Sequence, residues 1–247
     1  MKHTDRVKQT FDNLITTINT ILDDFAVAYT YHDLGKKYIC SIDDETEVFP
    51  EFCIGSDIHV EWPSISDVKL FNDNYPSFLV EVFHSRLAQS WQNCLNDIFS
   101  IFIDSHFSAE RPFIELKKRQ IRLDFSSSDS ILTQIRNVCI DDFDFMNYPD
   151  KIKIIKNTLN SIDLDSYFKT IYKNMLIRNN IQHSNGIVDD KLLKSLGEPA
   201  VEILDKDGIN KYYKNGDKIE LSYPELYLFG HSIVYVIQKW RENSEHN

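Results

Sequence analysis

The sequence predicts a mainly α protein, a helical bundle with small β additions. Three observations carry that prediction. Only 7 Gly and 7 Pro interrupt 247 residues, a low breaker count that favours long helices. Apolar side chains recur at three- and four-residue steps over several long stretches, which lines one face of an amphipathic helix. β-favouring pieces bounded by turn residues are confined to an irregular segment at about 33–75 and a hairpin insertion near the C-terminus, at about 200–222.

The first helix is expected from Thr4 to about Thr30, where Val7, Phe11, Leu14, Ile18, Ile21, Phe25 and Ala28 keep the helical step. Residues 33–75 then read as irregular, with "KYICSI" and "DIHVEW" as strand-like pieces and room for one hairpin. After Pro76 a second long helix runs to about His106, with Val80, Phe83, Leu87, Trp91, Leu95, Ile98 and Phe102 on one face. Shorter helices fill 113–165, broken by "DFSSSDS" and "NYPD", the latter offering Pro149 as a helix start. The next helix is expected to be capped by Asp165 or Ser166, to carry Phe168, Ile171, Tyr172, Met175 and Asn179 along one side, and to end near His183 with Gly186 as left-handed C-cap. "VDDKLLKSLG" follows as a short helix. "INKYYKNGDKIEL" reads as a hairpin turning at Asn215-Gly216. "SYPE" matches a capping box, Ser222 reaching forward and Glu225 back, before Leu226, Phe229, Ile233, Ile237 and Trp240 mark a final helix.

With 42% hydrophobic and 13% aromatic residues the chain can bury one large core, so a single domain over 1–247 is expected, its core at about 1–32 and 77–242. The richest apolar run, "YLFGHSIVYVI" at 227–237, is too short to span a bilayer, and "MKHTDRVKQT" lacks a signal-peptide core, so no membrane partner and a cytoplasmic location are expected. Cys40, Cys53, Cys94 and Cys139 form no C-x-x-C pair, which argues for reduced thiols and against zinc; a Cys40–Cys53 bridge is disfavoured. A net charge of −11 repels polyanions, so any nucleic acid must be met by a local patch.

"RNNIQHSNG" at 178–186 draws the chemical argument. Eight Arg and 8 His in this length give an Arg-x4-His match by chance about 0.26 times, and Arg241 with His246 is a second instance at a charged terminus that reads as solvated tail. Arg136-Asn137 is a further partial match, read as a helix-surface pair. Arg178 and His183 differ in lying at the capped end of a well-patterned helix. Five residues rotate two side chains by about 140° and separate them by about 7.5 Å, so these two flank a face, whereas Asn179 and His183 stack four apart. Asn179 is therefore expected to orient the imidazole, and the helix C-terminus to favour its protonated form by roughly 0.3–1 kcal/mol. RNA cleavage through the ribose 2′-hydroxyl needs a base, an acid and positive charge on the phosphorane. One chain offers one His and one Arg here; a twofold dimer would supply two of each.

At these residues the chain resembles the HEPN superfamily, helical-bundle proteins whose hallmark is Arg, a polar residue, three to five further positions and His. "RNNIQHSNGIVDD" is similar to the Arg-Asn variant of that motif, and the likeness extends loosely to the Trp91 helix, "GDKIELS" at 216–222 and the last helix, over most of 77–242. The resemblance implies a metal-independent, cofactor-free endoribonuclease, commonly a toxin or an effector of anti-phage defence and abortive infection, acting as a homodimer with a composite cleft. By match to the motif, Arg178, Asn179 and His183 form the catalytic set. The resemblance further implies RNA as substrate and an antitoxin or defence-system protein as partner. Asn185 stands where one subgroup carries Tyr, which removes regulation through such a tyrosine. Some members of the superfamily are silent modules that bind a protein or nucleotide, and that is the alternative reading.

Lys169 and Lys173 on the motif helix are candidate substrate contacts, part of a wider set with Lys117, Lys118, Arg119, Arg122, Lys151, Lys153 and Lys156 that would form an RNA path if it converges. "DKDGINKYYKNGD" opens like a calcium loop but lacks its later ligands and reads better as a hairpin. "DDFDF" at 141–145 is an acidic loop in an acidic protein, and His84 borders the core.

Overall fold

The chain's opening helix shows how apolar spacing becomes architecture. In the computed structural model, α1 (His3–Cys40) turns Val7, Phe11, Leu14, Ile18, Ile21 and Phe25 into the core, and that stripe lies against α3 (Phe78–Phe107) and α8 (Tyr223–Asn243). The structure describes residues 2–43, 63–113, 122–126, 128–159 and 164–244, together with the backbone of 52–54 and 58–60. α6 (Asp165–Ser184) packs on α8 and α3, completing a bundle of the four longest described helices.

At its centre each of the four supplies one ring. Trp91 of α3 stacks on Trp240 of α8 with centroids 5.7 Å apart, while Phe11 of α1 and Phe168 of α6 lie against the same indole at 6.1 and 5.7 Å. Such pairs add about 0.5–1.5 kcal/mol each beyond the area they bury, which locks the four helices in register. Gly230 lets α8 approach α1: a Cβ there would stand 3.0 Å from Leu22 Cδ1.

The shorter elements dress this bundle. β1 (Phe52–Ile54) pairs antiparallel with β2 (Ile58–Val60), the one hairpin expected in the irregular segment. α2 (Ile65–Asn74) is capped by a reciprocal Ser64–Asp67 box. α4 (Ile131–Asp144) starts at Ser130, which accepts from Thr133 N; α5 (Tyr148–Thr158) starts at Asn147, with Pro149 in its first turn. α7 (Asp190–Leu196) is capped by Asp189 and ends at left-handed Gly197. β3 (Val201–Leu204) pairs with β4 (Asn210–Tyr213). No described helix is long and apolar enough to cross a membrane.

Several local expectations are corrected. α1 continues ten residues beyond Thr30 because nothing in "YHDLGKKYIC" breaks it, so "KYICSI" begins as helix, and α2 makes 65–74 helical rather than irregular. Beyond Phe25 the helix exposes Val27, Tyr31, Leu34 and Tyr38 in a stripe opposite its buried face. α6 is preceded by Leu164 without a side-chain cap, so neither Asp165 nor Ser166 plays that part. The β3–β4 hairpin turns at Asp205, whose Oδ1 accepts from Asp207 N and Ile209 N, both at 2.9 Å, with Gly208 left-handed; Asn215-Gly216 turns the chain after β4 instead. "DDFDF" enters the last turns of α4 and is no loop. Arg241, read as solvated tail, ties α8 to α1 through Asp12 at 2.7 Å, while His246 lies outside the described residues. Arg136 bonds Asp104 of α3 at 2.6 Å. Cys40 is an exposed free thiol and Cys94 a buried one.

Candidate functional site

α6 is held by a buried polar network that its sequence pattern does not announce. Asn174 sits in the core stripe of α6, where it donates to Glu225 Oε1 at 2.8 Å and lies 2.8 Å from His84 Nε2. Glu225, fully buried in the first turn of α8, also accepts from Leu204 N at 3.0 Å and pairs with Lys173 at 2.9 Å. Because the Asn174 amide nitrogen is spent on Glu225 and on Thr170 O, its oxygen faces His84, which makes Nε2 the protonated nitrogen of that ring. Burial lowers the His84 pKa from its ordinary value to about 4, against the opposing pull of Asn174 and Glu225. Only the forward half of the expected capping box at "SYPE" forms: Ser222 accepts from Glu225 N, while the Glu225 carboxylate faces the network.

The end of α6 is fixed by backbone conformation. Asn185 and Gly186 both adopt left-handed φ, 52° and 76°, so Asn185 is the C-cap and Gly186 follows it. Asn180 then does what the arrangement needs: its Nδ2 donates to Ile187 O at 2.9 Å and its carbonyl accepts from Gly186 N. The returning "GDKIELS" segment clamps the same turn, with Val188 N donating to Asp217 O, Ile219 N to Gly186 O, and an antiparallel bridge at Ile187 and Lys218. The helix end is thus rigid on its core side.

The predicted catalytic residues divide across this end. His183 and Asn179, both exposed, line a cavity of about 360 Å³ between α6 and α7, together with Asn180, Ser184, Asp189, Lys191 and Ser195. The His183 ring makes no hydrogen bond among the described residues. Arg178 does not line that cavity. It is half-buried one turn beyond Asn174, and its Nη1 donates to Asn179 Oδ1 at 3.0 Å. Asn179 therefore engages the guanidinium rather than the imidazole, against expectation, because the adjacent side chain reaches it first. Arg178 Nε is buried without a hydrogen-bond partner among the described residues. Asp189 caps α7 through Leu192 N and does not meet Arg178.

The lysines also divide. Lys173 is drawn onto Glu225 and Glu202 O and is four-fifths buried, so it serves the network. Lys151 is buried over the Phe143 ring, donates to Asp144 O, and has its pKa lowered by that burial. Lys169 joins Lys153 and Lys156 around a second cleft of about 480 Å³ between α5 and α6, floored by Tyr148, Phe168 and Tyr172. Lys117, Lys118 and Arg119 lie outside the described residues, and Arg122 is exposed.

Comparison with protein-family models, with characterised proteins and with solved structures returned no match. The His183 cavity joins an imidazole, an ammonium from Lys191 and the exposed Asn179 amide, with the Asp189 carboxylate that caps α7 at its edge, a set in which Lys191 can hold an oxyanion beside the ring. Lys191 was missed because "VDDKLLKSLG" reads only as a short following helix; the tertiary turn at 185–188 brings it to the His183 cavity. No group of three or more metal-ligating side chains exists among the described residues.

Proposed function

We propose that this chain is a HEPN-type endoribonuclease that cuts RNA without a metal and works as a homodimer, acting as a toxin or an effector of anti-phage defence. The observation that carries this reading is the state of His183: an exposed imidazole without a hydrogen bond among the described residues, at the end of a rigidly clamped helix, in an open cavity with Lys191. An imidazole held this way is free to take the ribose 2′-hydroxyl proton. The 2′-oxygen then attacks the adjacent phosphorus and the 5′-oxygen departs with a proton from the Lys191 ammonium of the same cavity, leaving a 2′,3′-cyclic phosphate. Arg178, which does not line the His183 cavity of its own chain, serves the phosphorane bound at the partner's His183, and the partner's equivalent serves this one. Asn179 holds the guanidinium in place.

The test is incubation of RNA in EDTA. Wild-type protein is expected to leave cyclic phosphate ends and His183→Ala none; equal cutting by both would remove His183 from the reaction. A second reading, a silent module that binds a protein partner in a defence or toxin–antitoxin system, is favoured by the exposed stripe Val27, Tyr31, Leu34 and Tyr38 on α1, a surface suited to another helix. Under it, expression toxicity or partner binding responds to Tyr31→Ser and not to His183→Ala.

A further inference from the structure

We propose that the cleft between α5 and α6 is a binding track for single-stranded RNA that leads to His183, an inference resting on the nuclease reading. Three ammonium groups, Lys153, Lys156 and Lys169, converge on this cleft in a chain whose net charge is −11. Among the described residues lining the cleft one carboxylate, Asp165, opposes them, and it pairs with Lys156 at 3.3 Å. Lys153 and Lys169 are exposed and make no ion pair among the described residues, which leaves them free to meet phosphates.

The floor is aromatic. Tyr172 stacks on Tyr148 with centroids 5.5 Å apart and planes 9° from parallel, and the Tyr148 phenol accepts from Trp91 Nε1 at 2.8 Å, so the pair is anchored to the bundle. Phe168 lies beneath the Lys156 ammonium at 4.8 Å. Cations along a groove with ring faces beneath them suit a strand whose phosphates run outside and whose bases stack inward, in any sequence.

The cleft and the His183 cavity share one face of α6. Asp165, Phe168, Lys169 and Tyr172 line the first, and Leu176, Asn179, Asn180 and His183 the second. At about 100° per residue all eight fall within one side of the helix, and Lys169 precedes His183 by 14 positions, about 21 Å along the axis. Lys173 lies off this line on Glu225, which explains why it is the lysine the core keeps. A mononucleotide would fill the cleft alone; the shared face continuing to His183 is what selects a strand.

The test uses His183→Ala protein, which cannot consume the probe, and fluorescence anisotropy of a short labelled single-stranded RNA. Adding Lys153→Gln with Lys169→Gln is expected to weaken binding roughly tenfold or more, and to flatten the dependence of log Kd on log salt by about 1.4, two phosphate contacts at about 0.7 each. Tyr172→Leu is expected to weaken binding at least about fivefold at unchanged salt slope. Lys206→Gln with Lys214→Gln, an equal charge change on the β3–β4 side, is expected to leave it unchanged. The proposal is overturned if the cleft pair binds like its parent, if the hairpin pair weakens binding as much, if the parent binds no RNA, or if ATP or inorganic pyrophosphate displaces the RNA at equal concentration. Cutting by otherwise wild-type protein that is indifferent to the cleft variants would sink the track and spare the nuclease; cleft-dependent binding without any cutting would do the reverse.

Discussion

Arg178 and His183 leave α6 on different sides: the imidazole lines the cavity against α7, while the guanidinium lies outside it, bonded to Asn179 at 3.0 Å. Five helical residues impose about 140° between them, so the separation follows from α geometry and not from a chance rotamer. In the proposed mechanism the two groups that meet one phosphate come from two chains.

Glu225 should be the most costly polar residue to lose. Its removal takes the charge partner from Lys173, one of two acceptors from the Asn174 amide and the acceptor from Leu204 N at once. Glu225→Ala is expected to cost about 3–5 kcal/mol in urea unfolding. Lys211→Gln, at the exposed pair with Glu220, should stay within about 0.5 kcal/mol. Comparable losses from the two would show that the network is not under tension from burial.

His84 makes stability depend on pH. Its folded-state pKa is pushed down from 6.5 to about 4, so between these values the unfolded chain binds the proton that the folded one refuses. The contribution is complete above about pH 6.5, falls as pH drops toward 4, and amounts to on the order of 3 kcal/mol. Denaturation midpoints of wild type and His84→Gln, compared at pH 7 and pH 4.5, should converge at the lower pH. Parallel profiles would mean that His84 does not titrate differently on folding.

Neighbouring asparagines should separate structure from chemistry. Asn180→Ala removes the bond to Ile187 O and is expected to cost about 1–3 kcal/mol, with faster amide exchange at Val188 and Ile219. Asn179→Ala, on the exposed side, should change stability by less than about 0.5 kcal/mol while lowering cleavage by loosening Arg178. The reverse pattern would place the functional residue at 180.

The long helices were readable because their apolar period is local: Val80 through Phe102 states its own buried face, and Trp91 and Trp240 need only fall on such faces to meet. Element ends were less readable. α1 overran its predicted end because a helix does not require burial to continue, and the exposed stripe from Val27 to Tyr38 became visible only then. At "SYPE" the capping pattern was present, but Glu225 had a stronger offer from Lys173 and Asn174, residues about 50 positions away. The same long-range ion pair withdrew Lys173 from the predicted substrate contacts, and the α6–α7 turn brought Lys191 into the His183 cavity. Motif spacing located the helix end; it could not say which side each residue would face.

The most direct measurement of the central claim mixes two inactive variants. Arg178→Ala and His183→Ala, each assayed alone on RNA in EDTA, are expected to be inactive. Subunit exchange should restore about a quarter of wild-type cleavage, because half of the dimers are mixed and each holds one intact pair of Arg178 and His183 from opposite chains. A mixture as inactive as its components, or full cleavage by a chain that stays monomeric, would contradict the composite site.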